Sequence, residues 1–130
     1  MNKIRTVYKL IFHFLNVFII IISLYPGSLL GCYLFNDCSY DPQITEEFIA
    51  SSVSTNHLYA FGILTFFGIL AYNRKSNIKF LFIYLIFISI ILEIVHILIP
   101  VRVFQIEDLF GNLIGVILII SIYFIKNEFF

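Results

Sequence analysis

Residues 78–99 read IKFLFIYLIFISIILEIVHILI, and Pro100 follows. Beyond Lys79 the run carries a single charge, Glu93. Roughly 20 mainly apolar residues cross a bilayer as a helix. The other backbone arrangement that satisfies itself in lipid is a closed barrel, whose strands alternate apolar and polar residues. Residues 80–92 do not alternate, so the stretch reads as a transmembrane helix. Three more stretches share its character. They run from about Leu10 to Tyr25, closed by Pro26-Gly27; from about Asn56 to Tyr72, stopping before Asn73-Arg74-Lys75; and from about Asp108 to Ile125, closed by Lys126.

The composition as a whole agrees with this. Of the 130 residues, 61% are hydrophobic and 12% are charged, and the mean hydropathy is +1.01. Soluble domains carry about a quarter charged residues. A water-soluble fold this small cannot cover so much apolar surface, and disorder is excluded on the same ground. Eight basic and eight acidic residues give a net charge of +0, which leaves no basic excess for nucleic acid. The expected fold is all-α, an integral membrane bundle of four transmembrane helices in a single domain over residues 1–130, with membrane lipid as its surroundings.

The charges between the spans set an orientation. Lys3, Arg5 and Lys9 precede the first span, and Arg74, Lys75 and Lys79 lie between the second and third. The loop over residues 27–55 has no basic residue and carries Asp37, Asp41, Glu46 and Glu47; the link after Pro100 has only Arg102. The positive-inside rule then places both termini in the cytoplasm and these two loops outside. The first span has the basic flank of a signal peptide, but its apolar run is too long and no small-x-small site follows. It is expected to be retained. The outer loop holds both cysteines, Cys32 and Cys38. Outside the cytoplasm a disulfide is permitted, and both a bond and two free thiols are open readings.

The polar residues inside the spans are the informative ones, since an ionisable group at mid-helix costs roughly 2.5–3.5 kcal/mol on insertion scales. Glu93 and His96 stand at i,i+3 on one side of the third helix. At 1.5 Å per residue, Glu93 lies roughly 9 Å below its outer end. Asp108 and Asn112 open the fourth helix at i,i+4, and Gly111 and Gly115, at the same spacing, permit close approach of a neighbouring helix. Arg102 lies in the link, and His57 opens the second helix. The topology brings all of these to one membrane depth at the outer face, as an outward-open polar pocket. Arg102 is the natural partner of Glu93, with Asp108 competing for it. His57 and His96 can titrate. A structural clamp for Glu93–Arg102 and an N-cap role for Asp108 are the plainer readings. His13 and Asn16 in the first helix stand away from this cluster and read as packing or cavity-lining residues.

These residues resemble a family signature. Glu93-x-x-His96, Pro100-x-Arg102 and Asp108-x-x-x-Asn112-x-x-Gly115 are similar to motifs of the VanZ-like membrane proteins. Ser23-Leu24-Tyr25-Pro26-Gly27 resembles the Ser-Leu-x-Pro-Gly that ends that family's first helix, and Asn56-His57-x-x-x-Phe61 resembles the start of its second. The chain has His96 where the family has glutamine, and Val53-Ser54 where it has Asp-Lys. The resemblance implies a bacterial inner-membrane protein with an envelope-related role, as in low-level glycopeptide resistance. The expected ligand is a polar or anionic head group of a lipid-linked or amphiphilic envelope molecule. His57, Glu93, His96, Arg102, Asp108 and Asn112 are the expected pocket.

Two other classes stay open. One is an enzyme acting on a lipid-linked substrate, with His57 or His96 as acid-base and Glu93 as orienter, although no catalytic motif is visible. Glu93, His96, His57 and Asp108 are acceptable ligands for zinc or manganese within that reading, but the sequence alone assigns no metal and no cofactor. The other class is a structural subunit or small transporter, which would need a homodimer for a gated path.

Overall fold

The computed structural model describes residues 2–42, 52–73 and 75–129. Among these residues the chain forms four long helices: α1 (Asn2–Leu24), α2 (Thr55–Tyr72), α3 (Lys75–Val95) and α4 (Ile106–Phe129). A π-helical turn, Gly31–Phe35, lies in the first loop, and α3 runs on into a 3₁₀ turn, His96–Leu98. Among the described residues there is no strand. Glu46, Glu47 and Arg74, used above to orient the chain, lie outside the described residues.

The helix ends follow local chemistry. α1 begins well before Leu10, because Lys3, Arg5 and Lys9 are themselves good helix formers. It ends at Leu24, ahead of Pro26 and of Gly27 at φ +103°. α4 begins at Ile106, two residues before Asp108, so that Glu107 and Asp108 both occupy its first turn, where carboxylates suit the helix N-terminus.

Among the described residues three helical segments are long and apolar enough to cross a membrane: Lys3–Leu24, Asn77–Leu98 and Ile106–Lys126. α2 falls short of that description, since Thr55-Asn56-His57 open it and Thr65 and two glycines dilute its interior. It is the hub of the bundle instead, packed most extensively on α4, next on α1 and then on α3. The α2–α4 contact is close because Gly111 and Gly115 lie against α2. A Cβ on Gly111 would meet the Ser54 carbonyl, and one on Gly115 would meet the Leu58 carbonyl and lie 3.0 Å from the Gly62 nitrogen.

The bundle is apolar outside and partly polar inside. Phe80, Ile83 and Phe87 on α3 and Phe14 and Ile21 on α1 are exposed. Phe61, Leu64, Leu85 and Val116 form the buried apolar centre. Ser54, Thr65, Ser89, Glu93, His96, Asp108 and Asn112 are buried beside them. Two of these satisfy themselves within their own helix: the Thr65 hydroxyl donates to the Phe61 carbonyl and the Ser89 hydroxyl to the Leu85 carbonyl, each at 2.7 Å.

The first loop folds back on the end of α1. Cys32 and Cys38 are bonded, with Cα atoms 4.1 Å apart. The Ser28 N–H donates to the Cys38 carbonyl at 2.8 Å, and Gly27 lies so close to that carbonyl that a Cβ would stand 2.7 Å from it. At the loop's exposed edge the Ser39 hydroxyl and N–H donate to Asp37, at 2.6 and 2.9 Å, and hold its carboxyl below the usual range.

The opposite end of the bundle has its own polar ties. Arg5 donates to Asn73 at 2.9 Å, His13 bonds the Tyr72 hydroxyl at 2.8 Å, and the Tyr84 hydroxyl donates to Asn16 at 2.8 Å. His13 and Asn16 thus link α1 to α2 and α3, and both line a cavity of about 500 Å³ there.

Candidate functional site

At the end of the bundle where α1 stops and α2 begins, α3 delivers Glu93, which has no exposed surface. Its Oε1 accepts the Gln105 N–H at 2.9 Å and faces His96 Nδ1 at 3.1 Å. His96 Nε2 donates to the Ser23 carbonyl at 3.0 Å, one of the carbonyls that the end of α1 leaves without a helical partner. The pair therefore holds two protons: one on Nε2, and one shared between Nδ1 and Oε1. Oε2 of Glu93 is buried and has no hydrogen-bond partner.

The expected pairing of Arg102 with Glu93 or Asp108 is not made. Arg102 Nε donates to the Tyr25 carbonyl at 3.2 Å and Nη2 to the Ile22 carbonyl at 3.4 Å. The cation serves the α1 terminus, where orphan carbonyls and the negative end of the helix dipole attract it. Glu93 pairs instead with His96, at 3.1 Å, and Asp108 with His57, at 3.5 Å. The link that carries Arg102 away also supplies the Gln105 N–H to Glu93, so one segment swaps the guanidinium for a backbone donor.

α2 and α4 supply the other half. The Asn112 amide donates to the Ser89 carbonyl at 3.3 Å, which turns its Oδ1 toward His57 Nδ1 at 2.9 Å. An amide oxygen only accepts, so Nδ1 of His57 carries a proton. The other ring nitrogen, Nε2, then faces Asp108 Oδ2 at 3.5 Å. The Ser54 side chain, just before α2, also bonds Asp108, and the Ser54 N–H donates to the Glu107 carbonyl at 3.0 Å. One ligand-type atom each from His57, Glu93 and Asp108 lie within 4.8 Å of one another.

Beside this cluster is a cavity of about 590 Å³. Of the expected pocket residues, His57, His96 and Arg102 line it. Glu93, Asp108 and Asn112 do not; they stand behind the histidines and fix them. Ser23, Ser28, Asp41 and Asn56 line it as well. The Ser28 hydroxyl donates to Asp41 at 3.0 Å, and the Asn56 amide donates to the Pro42 carbonyl at 2.7 Å. Sequence reasoning passed over these as pocket residues. The available signal was the pair of serines flanking the Pro26-Gly27 break, polar side chains at the outer end of an apolar span. The remaining wall is apolar: Phe18, Ile19 and Ile22 from α1, Phe61 from α2, and Leu30 and Tyr33 from the disulfide loop. The site thus combines a polar floor, a proton shared across a His–Glu pair, and an apolar flank.

Comparison with family models, curated proteins and solved structures gives no match.

Proposed function

We propose that this chain is a four-span protein of the bacterial inner membrane, both termini cytoplasmic, whose cavity at the extracytoplasmic face binds the polar or anionic head group of an envelope lipid or amphiphile. The observation that carries this reading is the division of the cavity into a polar floor of His57, His96 and Arg102 and an apolar wall of Phe18, Ile19 and Ile22. A head group and the first carbons of a chain have that same division. A volume of about 590 Å³ falls in the range of small-molecule sites, which are mostly apolar with a few placed polar groups.

The fourth span is α2. Its 18 residues reach about 27 Å, close to the ~30 Å of hydrocarbon, and it packs against α1, α3 and α4. Lys3, Arg5, Lys9 and Lys79 against Asp37 and Asp41 support the orientation. The five motifs that resemble those of VanZ-like proteins support an envelope-related role of the kind seen in glycopeptide resistance.

The test is to fill the cavity. Ala60 lines it from α2. Protein carrying Ala60→Trp, purified in mild detergent, is expected to lose the lipid that co-purifies with wild type, read by native mass spectrometry, while keeping its helical content. An identical lipid profile in wild type and variant would refute head-group binding in this cavity.

A further inference from the structure

We infer that His57, Glu93 and Asp108 form a binding site for a divalent transition-metal ion of the zinc or manganese type. Three helices bring these groups together, with one ligand atom each inside 4.8 Å. At metal–ligand distances of about 2.0–2.2 Å, the ligands of a tetrahedral ion stand roughly 3.3–3.6 Å apart. His57 Nε2 and Asp108 Oδ2, at 3.5 Å, already have that separation. Closing the rest needs about 1 Å, within reach of a carboxylate torsion.

Three independent observations turn the cluster into a site. The first is Oε2 of Glu93, a fully buried carboxylate oxygen with no donor. Such an atom is costly to bury, and a cation is the partner that removes the cost. The second is the state of His57. Its Nδ1–H is held by Asn112, itself held by Ser89, so in the neutral ring the lone pair is on Nε2, the nitrogen facing Asp108. An outer amide or carboxylate that fixes the tautomer of a histidine ligand is the usual support of a metal site. The third is charge. Arg102 is committed to the carbonyls of Ile22 and Tyr25, so among the described residues Glu93 and Asp108 pair only with the imidazoles of His96 and His57 and with no guanidinium. An imidazole with two carboxylates suits zinc or manganese better than calcium or magnesium, which prefer all-oxygen ligands.

The inference stands apart from head-group binding, because metal loading is measured with no lipid added. Purified protein is stripped with a chelator, then titrated with Zn²⁺ or Mn²⁺ alone and read by elemental analysis and X-ray absorption. The expected result is about one ion per chain, with one imidazole and two carboxylates in the first shell. Glu93→Gln and Asp108→Asn are expected to abolish stoichiometric loading, and Asn112→Ala to weaken it about 10–100-fold. His13→Gln, at the other end of the bundle, tests for adventitious histidine binding and is expected to load like wild type. Should the carboxylate variants fail to fold, the wild-type absorption spectrum decides. Loading below about a tenth of an ion per chain, a shell of several imidazoles, or full loading in folded Glu93→Gln would each overturn the site.

Discussion

Gly111→Ala on α4 gives the sharpest test of the packing that assembles this site. The added Cβ would fall against the Ser54 carbonyl, 2.9 Å from the His57 Cβ and 3.3 Å from the Leu58 nitrogen. Carbon pairs are comfortable at about 3.5–4.0 Å, so the shortfall at His57 is roughly 1 Å. Two of the three obstructing atoms are backbone, the Ser54 carbonyl that caps α2 and the Leu58 nitrogen within it, and the third is a Cβ fixed to α2, so no rotamer change relieves the clash and the helices must separate. Overpacking of this kind costs about 1–3 kcal/mol, and the rigid partner places it at the upper end. Replacing a helical glycine by alanine returns about 1 kcal/mol of propensity. The net expectation is about 2 kcal/mol of destabilisation. Gly62→Ala, in the same helix pair, reverses the sign. Its Cβ would stand 3.8 Å from the Gly115 carbonyl oxygen and 3.9 Å from Ile119. Only the propensity gain of up to about 1 kcal/mol remains. Unfolding by SDS in mixed micelles, followed by circular dichroism, resolves a difference of about 3 kcal/mol between the variants, a factor of roughly 100 in the equilibrium. Equal stabilities for Gly111→Ala and wild type, or an equal loss in Gly62→Ala, would refute the close α2–α4 contact.

Other outcomes follow from particular contacts. Arg102→Ala is expected to speed amide exchange at the end of α1 and to cost about 1 kcal/mol, since two carbonyls lose a half-exposed charged donor; Arg102→Lys, with one point donor, restores only part. Reducing Cys32–Cys38, six residues apart in sequence, is expected to cost about 2 kcal/mol by chain entropy, read in the same SDS titration with and without reductant. Without reductant, neither cysteine should label with maleimide. The Asp37 carboxyl is held below its ordinary value by Ser39, so the turn's stabilisation is complete above the ordinary carboxylate range and is lost as the pH falls through the lowered value. The Ser39 amide resonance should titrate with a midpoint below 3.8, and Asp37→Asn should abolish that titration.

The helices were legible because hydrocarbon imposes length and apolarity on any segment that crosses it. Their ends were less so. Lys3, Arg5 and Lys9 read as a flank but continue α1, and His96 ends a helix whose last turn tightens to 3₁₀. The depth shared by His57, Glu93 and Asp108 could be read from topology alone. The partner of Arg102 could not. Charge counting favours a carboxylate, yet the acceptors that win are carbonyls of Ile22 and Tyr25, whose unpaired state exists only once α1 has stopped. Asn112 could be placed in the pocket from its i,i+4 spacing to Asp108, but which histidine it orients, His57, follows only from the α2–α4 packing.

Polar ties fasten α1 along its length: Arg5 near its start, His13 and Asn16 at and just past its middle, and the carbonyls of Ile22, Ser23 and Tyr25 at its finish. Between Asn16 and Ile22 the side chains are all apolar: Val17, Phe18, Ile19, Ile20 and Ile21. A piston movement along the helix axis would break several bonds at once, in a medium with no water to replace them. Sideways bowing breaks none. Phe18 and Ile19, which line the cavity, lie on that stretch, so bowing it outward would widen the cavity while the tied residues on either side stay fixed.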